Sequence, residues 1–236
     1  MSELPYKTIS VSGPDAFEFL QNQLTNDLQL LSGTPNPAHR LSVLEGCQSS
    51  DNSILSAWCS PKGRVIWFGT VCKTDTGFAL SVVTDLAEEM VSRLQVYRFR
   101  SKVEFAIDEG GTVDEAFLIT NGYPAIGKDQ SELFTPHMLN LDLLGAVSID
   151  KGCYPGQEVV ARTHYRGATK RRMLRFESSA PVAPGDKVSD GDRDVGEVLN
   201  AIGNDLLAIV PIDKADQQLT IGSAKLLHSP LPYLKL

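Results

Sequence analysis

The chain has 236 residues, 42% of them hydrophobic and 22% charged, with a formal net charge of −7. That length holds one large domain or two small ones, and the composition excludes a disordered or collagen-like chain. No apolar run approaches the roughly 20 residues of a membrane span. The opening MSELPYKTIS lacks a basic stretch followed by an apolar one, so no secretory signal is expected. An acidic total argues against wrapping nucleic acid with the whole surface, but leaves room for a local basic patch.

In chain order, Ser12 to Leu31 reads as a first helix, with Ser12 and Asp15 at a capping-type start, Pro14 in the first turn, and Phe17, Leu20 and Leu24 on one face. Leu41 to Cys47, Ile54 to Cys59, Arg64 to Cys72 and Phe78 to Val83 read as strands, with Pro61-Lys62-Gly63 turning between two of them. Thr84 caps a second helix carrying Leu86, Met90 and Leu94. Val103 to Ile107 is strand-like, and Thr135 to Ser148 holds a short helix through Met138, Leu141 and Leu144. Strands mixed with a few helices, without regular βαβ alternation, predict an α+β fold.

From Arg172 the texture changes. Met173 to Glu177, Lys187 to Ser189, Val195 to Ala201, Leu206 to Ile212 and Ala224 to His228 are short strand-like runs separated by Gly-containing turns, the pattern of a small β-barrel. The expected division is residues 1–171 and 172–236. No linker separates the two parts, so they are expected to pack together.

The four cysteines form no CxxC pair, which argues against a zinc ribbon or a one-chain ferredoxin-type cluster. Free thiols in a reducing, cytoplasmic compartment are expected. Cys47, Cys59 and Cys72 read as small hydrophobes on strands.

Cys153 is different. It sits in Lys151-Gly152-Cys153-Tyr154-Pro155-Gly156-Gln157-Glu158, where two glycines and a proline shape the backbone tightly. Pro155 can begin a helix through Val159, Val160 and Arg162. A helix start and Lys151 nearby both favour a thiolate, so the pattern suits a reactive or metal-capable Cys. A structural turn around a buried Cys fits the same spacing. A basic run follows: Arg162, His164, Arg166, Lys170, Arg171, Arg172 and Arg175. It suits a polyanion or a solvated face. A second group, Arg98, Arg100 and Lys102, follows the second helix.

Lys151 to Glu158 resembles the signature of the YgfZ family, folate-binding, iron–sulfur-associated relatives of the glycine cleavage T protein. The likeness continues in Ser12-Gly13-Pro14-Asp15-Ala16, in Phe19 to Asp27, in Ser60-Pro61-Lys62-Gly63-Arg64, in Arg100-Ser101-Lys102-Val103, in Asn140-Leu141-Asp142, in Glu158 to Arg162, in Arg166-Gly167 and in Leu231-Pro232-Tyr233.

The resemblance implies a GcvT-like folate-binding fold around a central hole, followed by the barrel. It implies binding of tetrahydrofolate or a derivative, and support of iron–sulfur cluster assembly or repair and thereby of tRNA modification. Cys153 is the implied functional thiol and a possible transient cluster ligand; no resident metal is implied. Lys151 would act on that thiol, and Gly152, Tyr154, Gly156, Gln157 and Glu158 would shape the loop. Tyr6 falls where an aromatic would stack on a pterin, and Arg98, Arg100 and Arg162 suit a folate glutamate tail. Implied partners are folate and iron–sulfur client or assembly proteins, with direct tRNA binding a further option and no membrane. Between Val103 and Asn121 the chain is shorter than typical members, so part of the middle region is reduced. Two alternatives stand beside this: a folate-dependent aminomethyltransferase, and a folate-free interaction scaffold. Trp67-Phe68 stand where the aminomethyltransferase carries acidic residues, and an apolar pair does no acid–base work. Whether the chain is an enzyme is left open.

Overall fold

The computed structural model describes residues 2–32, 53–166 and 169–234. The first strand, β1 (Glu3–Ser12), has no counterpart in the sequence expectation; Pro5, Lys7 and Ser10 blur its alternation. Ile9 and Val11 point to one core, while Leu4 and Tyr6 face the opposite side of the sheet. The first helix is shorter than expected: α1 spans Ala16–Gln21. It stops because Thr25 and Asn26 spend their side chains on distant backbone. Thr25 Oγ1 accepts from Ala57 N–H at 2.9 Å and donates to Ala146 O at 2.7 Å. Asn26 Nδ2 donates to Leu55 O at 2.7 Å and Gly145 O at 2.9 Å. Such side chains compete with the helical ladder.

Strands β2 (Ser53–Cys59), β3 (Val65–Lys73) and β4 (Gly77–Val83) follow as the apolar runs predict. The expected strand Leu41 to Cys47 lies outside the described residues. Helix α2 (Ala87–Arg98) comes next, then β5 (Glu104–Asp114), which pairs along the whole of β1 and so outruns its apolar start. The sheet order is β2-β3-β4-β1-β5. Its β2 strand is buried on both faces: Ile54 and Trp58 join the core under α1 and α2, while Leu55, Ala57 and Cys59 join a second core on the other side.

Helix α3 (Glu115–Asn121) follows β5, with the Asp114 carboxylate accepting from Ala116 N–H at its start. The segment expected to hold a helix through Met138, Leu141 and Leu144 is a chain of turns instead. Asn140 adopts φ +59° and Gly145 φ +69°, conformations a helix does not contain. Asn140 holds its turn by donating to Met173 O at 2.7 Å.

After helix α4 (Gln157–Arg166), six strands close a barrel: β6 (Arg171–Ser178), β7 (Lys187–Ser189), β8 (Asp194–Ile202), β9 (Asp205–Pro211), β10 (Leu219–Ile221) and β11 (Ala224–Ser229). Strand β9 explains how the barrel attaches. Leu206, Ala208 and Val210 fill the barrel, while Leu207 and Ile209 point outward into the second core beside β2. A two-residue period splits one apolar run between two cores. Cys59 is buried and free, and Cys153 is free. Cys72 is buried on β3 and disulfide-bonded, which corrects the free-thiol expectation for it, since composition does not report which thiols meet. Cys47 lies outside the described residues. No helix among the described residues is long and apolar enough to cross a membrane.

Candidate functional site

The signature loop is built on two anchors. The first is Lys151, 8% exposed, whose Nζ donates to Gln21 O at 2.5 Å, Leu24 O at 2.6 Å and Asn26 O at 3.1 Å. Gln21 ends α1, where a cation is favoured, and Leu24 and Asn26 lie just after it. Burial pushes the ammonium down to about 8, with the Asp27 carboxylate opposing. The ammonium also lies 5.4 Å from the Tyr154 ring centroid. Lys151 is therefore a pin for the loop: the three hydrogen bonds it makes all go to carbonyls, where the sequence suggested a partner for the thiol. Burial, with Cys59 beside it, raises the Tyr154 phenol well above its ordinary range.

The second anchor is steric. Gly156 adopts φ +79°, and a Cβ there would lie 2.5 Å from Ser60 O and 2.7 Å from Gly63 Cα. A Cβ on Gly63, itself at φ +68°, would lie 2.8 Å from Val159 Cβ. The signature loop and the β2–β3 turn thus interlock through facing glycines. Gln157 closes the loop, donating to Lys151 O at 3.3 Å. Glu158 is exposed. Gly152 and Cys153 are exposed between the anchors, and α4 begins four residues after the thiol, further than the sequence suggested. The result is an accessible thiol on a rigidly held loop.

A separate cavity of about 180 Å³ lies where β1, β4, α3 and the barrel meet. Leu4, Val83, Leu118, Ile119 and Ala125 give it apolar walls; Asp85, Glu115, Gln130 and Asn200 supply polar groups. Asn200 joins barrel to core by a double contact, accepting from Ala125 N–H at 3.0 Å and donating to Ala125 O at 2.9 Å. Asp85 accepts from Lys128 N–H at 3.3 Å. Tyr6 packs in the adjoining apolar cluster with Leu4, Leu118 and Ala125. Burial, with the Glu115 carboxylate adding to it, raises the Tyr6 phenol well above its ordinary range. Sequence reasoning missed Asp85 and Glu115, because nothing local distinguishes them from other surface acids.

The expected residues do not gather at one place. None of Cys153, Lys151, Arg98, Arg100 and Arg162 lines this cavity. Arg98 and Arg100 stand exposed at the end of α2, and Arg162 is exposed on α4. The basic run is also dispersed. Arg172 forms a bidentate pair with Asp142 at 2.9 Å, Arg175 pairs with Asp205 at 2.7 Å, and Arg171 donates to Ile209 O at 3.2 Å. No cluster of three or more potential metal ligands occurs among the described residues.

Known proteins share this architecture. Residues 170–233 match the CAF17 C-terminal β-barrel domain. A tRNA-modifying protein YgfZ from Edwardsiella ictaluri is 38% identical, with 95% of this chain and 89% of that protein covered. The chain belongs to the YgfZ family. The Yersinia enterocolitica YgfZ is 34% identical over 66% of this chain and 49% of its own length. The alignment to the Edwardsiella protein runs over 312 positions against 236 residues here, so that relative carries insertions. The fold is also that of the glycine cleavage aminomethyltransferase T from Bartonella henselae, with a TM-score of 0.70 over 98% of this chain and 85% of that one, at 14% identity. The GcvT-like body followed by a closed barrel is thus the architecture of this YgfZ-family chain.

Proposed function

We propose that this YgfZ-family protein binds a tetrahydrofolate or a derivative by its pterin ring and supports the assembly or repair of iron–sulfur enzymes, including those that modify tRNA, through the exposed thiol of Cys153. The observation that carries the folate part is the acidic cavity. Pterin presents an amino group and ring N–H donors along one edge, and the Glu115 and Asp85 carboxylates are acceptors for them, strong because they are charged. The apolar walls fit the ring faces. At about 180 Å³ the space is below the roughly 300 to 1,000 Å³ that enclose a whole drug-sized ligand. It takes a bicyclic ring and leaves the glutamate tail in solvent. A bound tetrahydrofolate would supply a one-carbon unit carried on N5 of the ring, on N10 of the linker, or between the two. The protein's own residues would hold the ring, exclude water from its faces and accept hydrogen bonds from its N–H donors.

The Cys153 thiol lies on an open surface, suited to meeting a client protein or a small thiol. One thiolate cannot hold a cluster alone, so the partner supplies the other ligands. The aminomethyltransferase reading is weaker. Trp67 and Phe68, where that chemistry needs acids, are both buried, and Trp67 Nε1 donates to Ser81 O at 2.9 Å.

The test has two arms. Calorimetric titration with 5-formyltetrahydrofolate should show binding that Glu115→Gln weakens about tenfold or more, the loss of a hydrogen bond to a charged group. No heat with wild type would remove the folate part. In a strain deleted for this gene, wild type should restore methylthiolated tRNA and Cys153→Ala should not. Rescue by Cys153→Ala would remove the thiol part.

A further inference from the structure

The end of α2 carries a charge pattern that neither the cavity nor the signature loop uses. Tyr97-Arg98-Phe99-Arg100-Ser101-Lys102 alternates rings and cations in a protein of net charge −7. Every residue from Gln95 to Arg100 is exposed, Phe99 to 85% and Val96 to 79%. Phe99 adopts φ +45° and ψ −102°, a backbone conformation that a bulky L residue rarely holds. Its ring stands out in solvent rather than on the core. The Arg100 guanidinium lies over that ring, 5.4 Å from its centroid. Tyr97 stands edge-on against the buried Trp58, with centroids 5.7 Å apart, which holds the end of the helix in place.

The cations here are unspent. Arg93, one turn earlier on the same helix, pairs with Glu89 and Glu132. Arg98, Arg100 and Lys102 make no ion pair among the described residues. Three full positive charges outweigh the roughly half negative charge of the helix C-terminus. Two acids stand at the base: the Asp15 carboxylate accepts from Lys102 N–H at 2.6 Å, and Glu104 opens β5.

We propose that this tip is a binding site for an unpaired stretch of nucleic acid, with a base stacked on Phe99 and phosphates held by Arg98, Arg100 and Lys102. An exposed ring with a guanidinium over it and cations on both sides is the combination that single strands require, because every base has a π-face and every step a phosphate. A flat anionic membrane fits less well, since it would meet the whole −7 protein. A short strand meets only charges within a Debye length, about 8 Å at physiological salt. The basic run after the signature is a poorer site because three of its arginines are committed to Asp142, Asp205 and Ile209 O.

The probes are fluorescein-labelled 12-mers of oligo-U and oligo-dT, followed by anisotropy on the full chain. Wild type should bind one or both. Phe99→Ala should weaken binding about tenfold, the loss of one stacked base, and Phe99→Tyr should restore it. Arg98→Gln with Arg100→Gln should lower the salt slope by about 1.4, two phosphates' worth. Arg162→Gln with Arg166→Gln on α4 should change neither. Preference between the two 12-mers assigns RNA or DNA. Equal affinity for a blunt duplex, an unaffected Phe99→Ala, or binding only to phosphatidylserine vesicles would each overturn the proposal. Titration of Phe99→Ala with 5-formyltetrahydrofolate should match wild type, so failure here and failure of the folate reading are separately visible.

Discussion

His137 sits 3% exposed, and neither ring nitrogen has a hydrogen-bond partner among the described residues. Its ring lies 6.4 Å from that of His164 on α4, and the Asp142–Arg172 pair stands alongside. Burial lowers its pKa below the ordinary imidazole value; the Asp142 carboxylate opposes, while Arg172 and His164 add to the lowering. The unfolded chain therefore takes up this proton first as pH falls. Stability should be full above about pH 6.5 and decline below it, toward the lower pKa of the folded state. Urea midpoints at pH 7.5 and pH 5 should show this fall, and His137→Phe should flatten it. An equally steep fall in His137→Phe would assign the acid sensitivity to other groups. The sequence shows the Lys151 ammonium two residues from a thiol. Its actual partners lie 125 to 130 residues away in the chain, at the end of α1 and just after it, where no local pattern announces them.

Among the elements, α4 and the β2–β3 turn depend on each other. The glycines of the signature loop and the turn were legible as tight backbone, and the turn over Pro61–Gly63 forms where the sequence puts it, with Gly63 N–H donating to Ser60 O at 2.8 Å. That the two would meet was not legible, since contact between them is a matter of tertiary packing. Gly156→Ala should destabilise the protein by about 1–3 kcal/mol, combining left-handed backbone with the collision against Ser60 O. It should also change the rate at which a thiol probe labels Cys153. Wild-type values for both the urea midpoint and the labelling rate would show that the interlock does not hold the loop. The first helix shows the opposite failure. Its apolar stripe predicted a helix to Leu31, but Thr25 and Asn26 gain buried hydrogen bonds to β2 and to Gly145 and Ala146, and these outweigh a further turn.

The whole molecule is held by a core that the sheet and the barrel share. Leu55, Ala57 and Phe68 from the sheet meet Met173, Leu199, Leu207 and Ile209 from the barrel. The Arg172–Asp142 pair ties the start of the barrel to the turns above it, with side chains only 14% and 16% exposed. Breaking it leaves a mostly buried carboxylate unpaired, so Arg172→Met should cost about 2 kcal/mol or more. Lys187→Met removes a partner of Glu197 at a pair whose lysine is 55% exposed, and should cost less than about 1 kcal/mol. Urea unfolding followed by intrinsic fluorescence and by circular dichroism should give coincident transitions in both variants. Separate transitions would mean that the shared core does not couple the two parts.

The sequence by itself determined the class of the fold, five of the six barrel strands and the tight backbone of the signature loop, because alternation, turn chemistry and glycine spacing are local and survive without context; the short β10 (Leu219–Ile221) was not legible. It also carried the family, through eight consecutive residues from Lys151 to Glu158. Only the tertiary structure decided which charges are free. Arg172 and Arg175 lie in the same basic run as Arg162, yet two of them are neutralised by acids 30 residues away and one is not. It likewise decided that Glu115 and Asp85 line one cavity and that Phe99 faces solvent. Charge pairing and concavity are properties of proximity in space, and proximity across dozens of residues is set by the packing of whole elements.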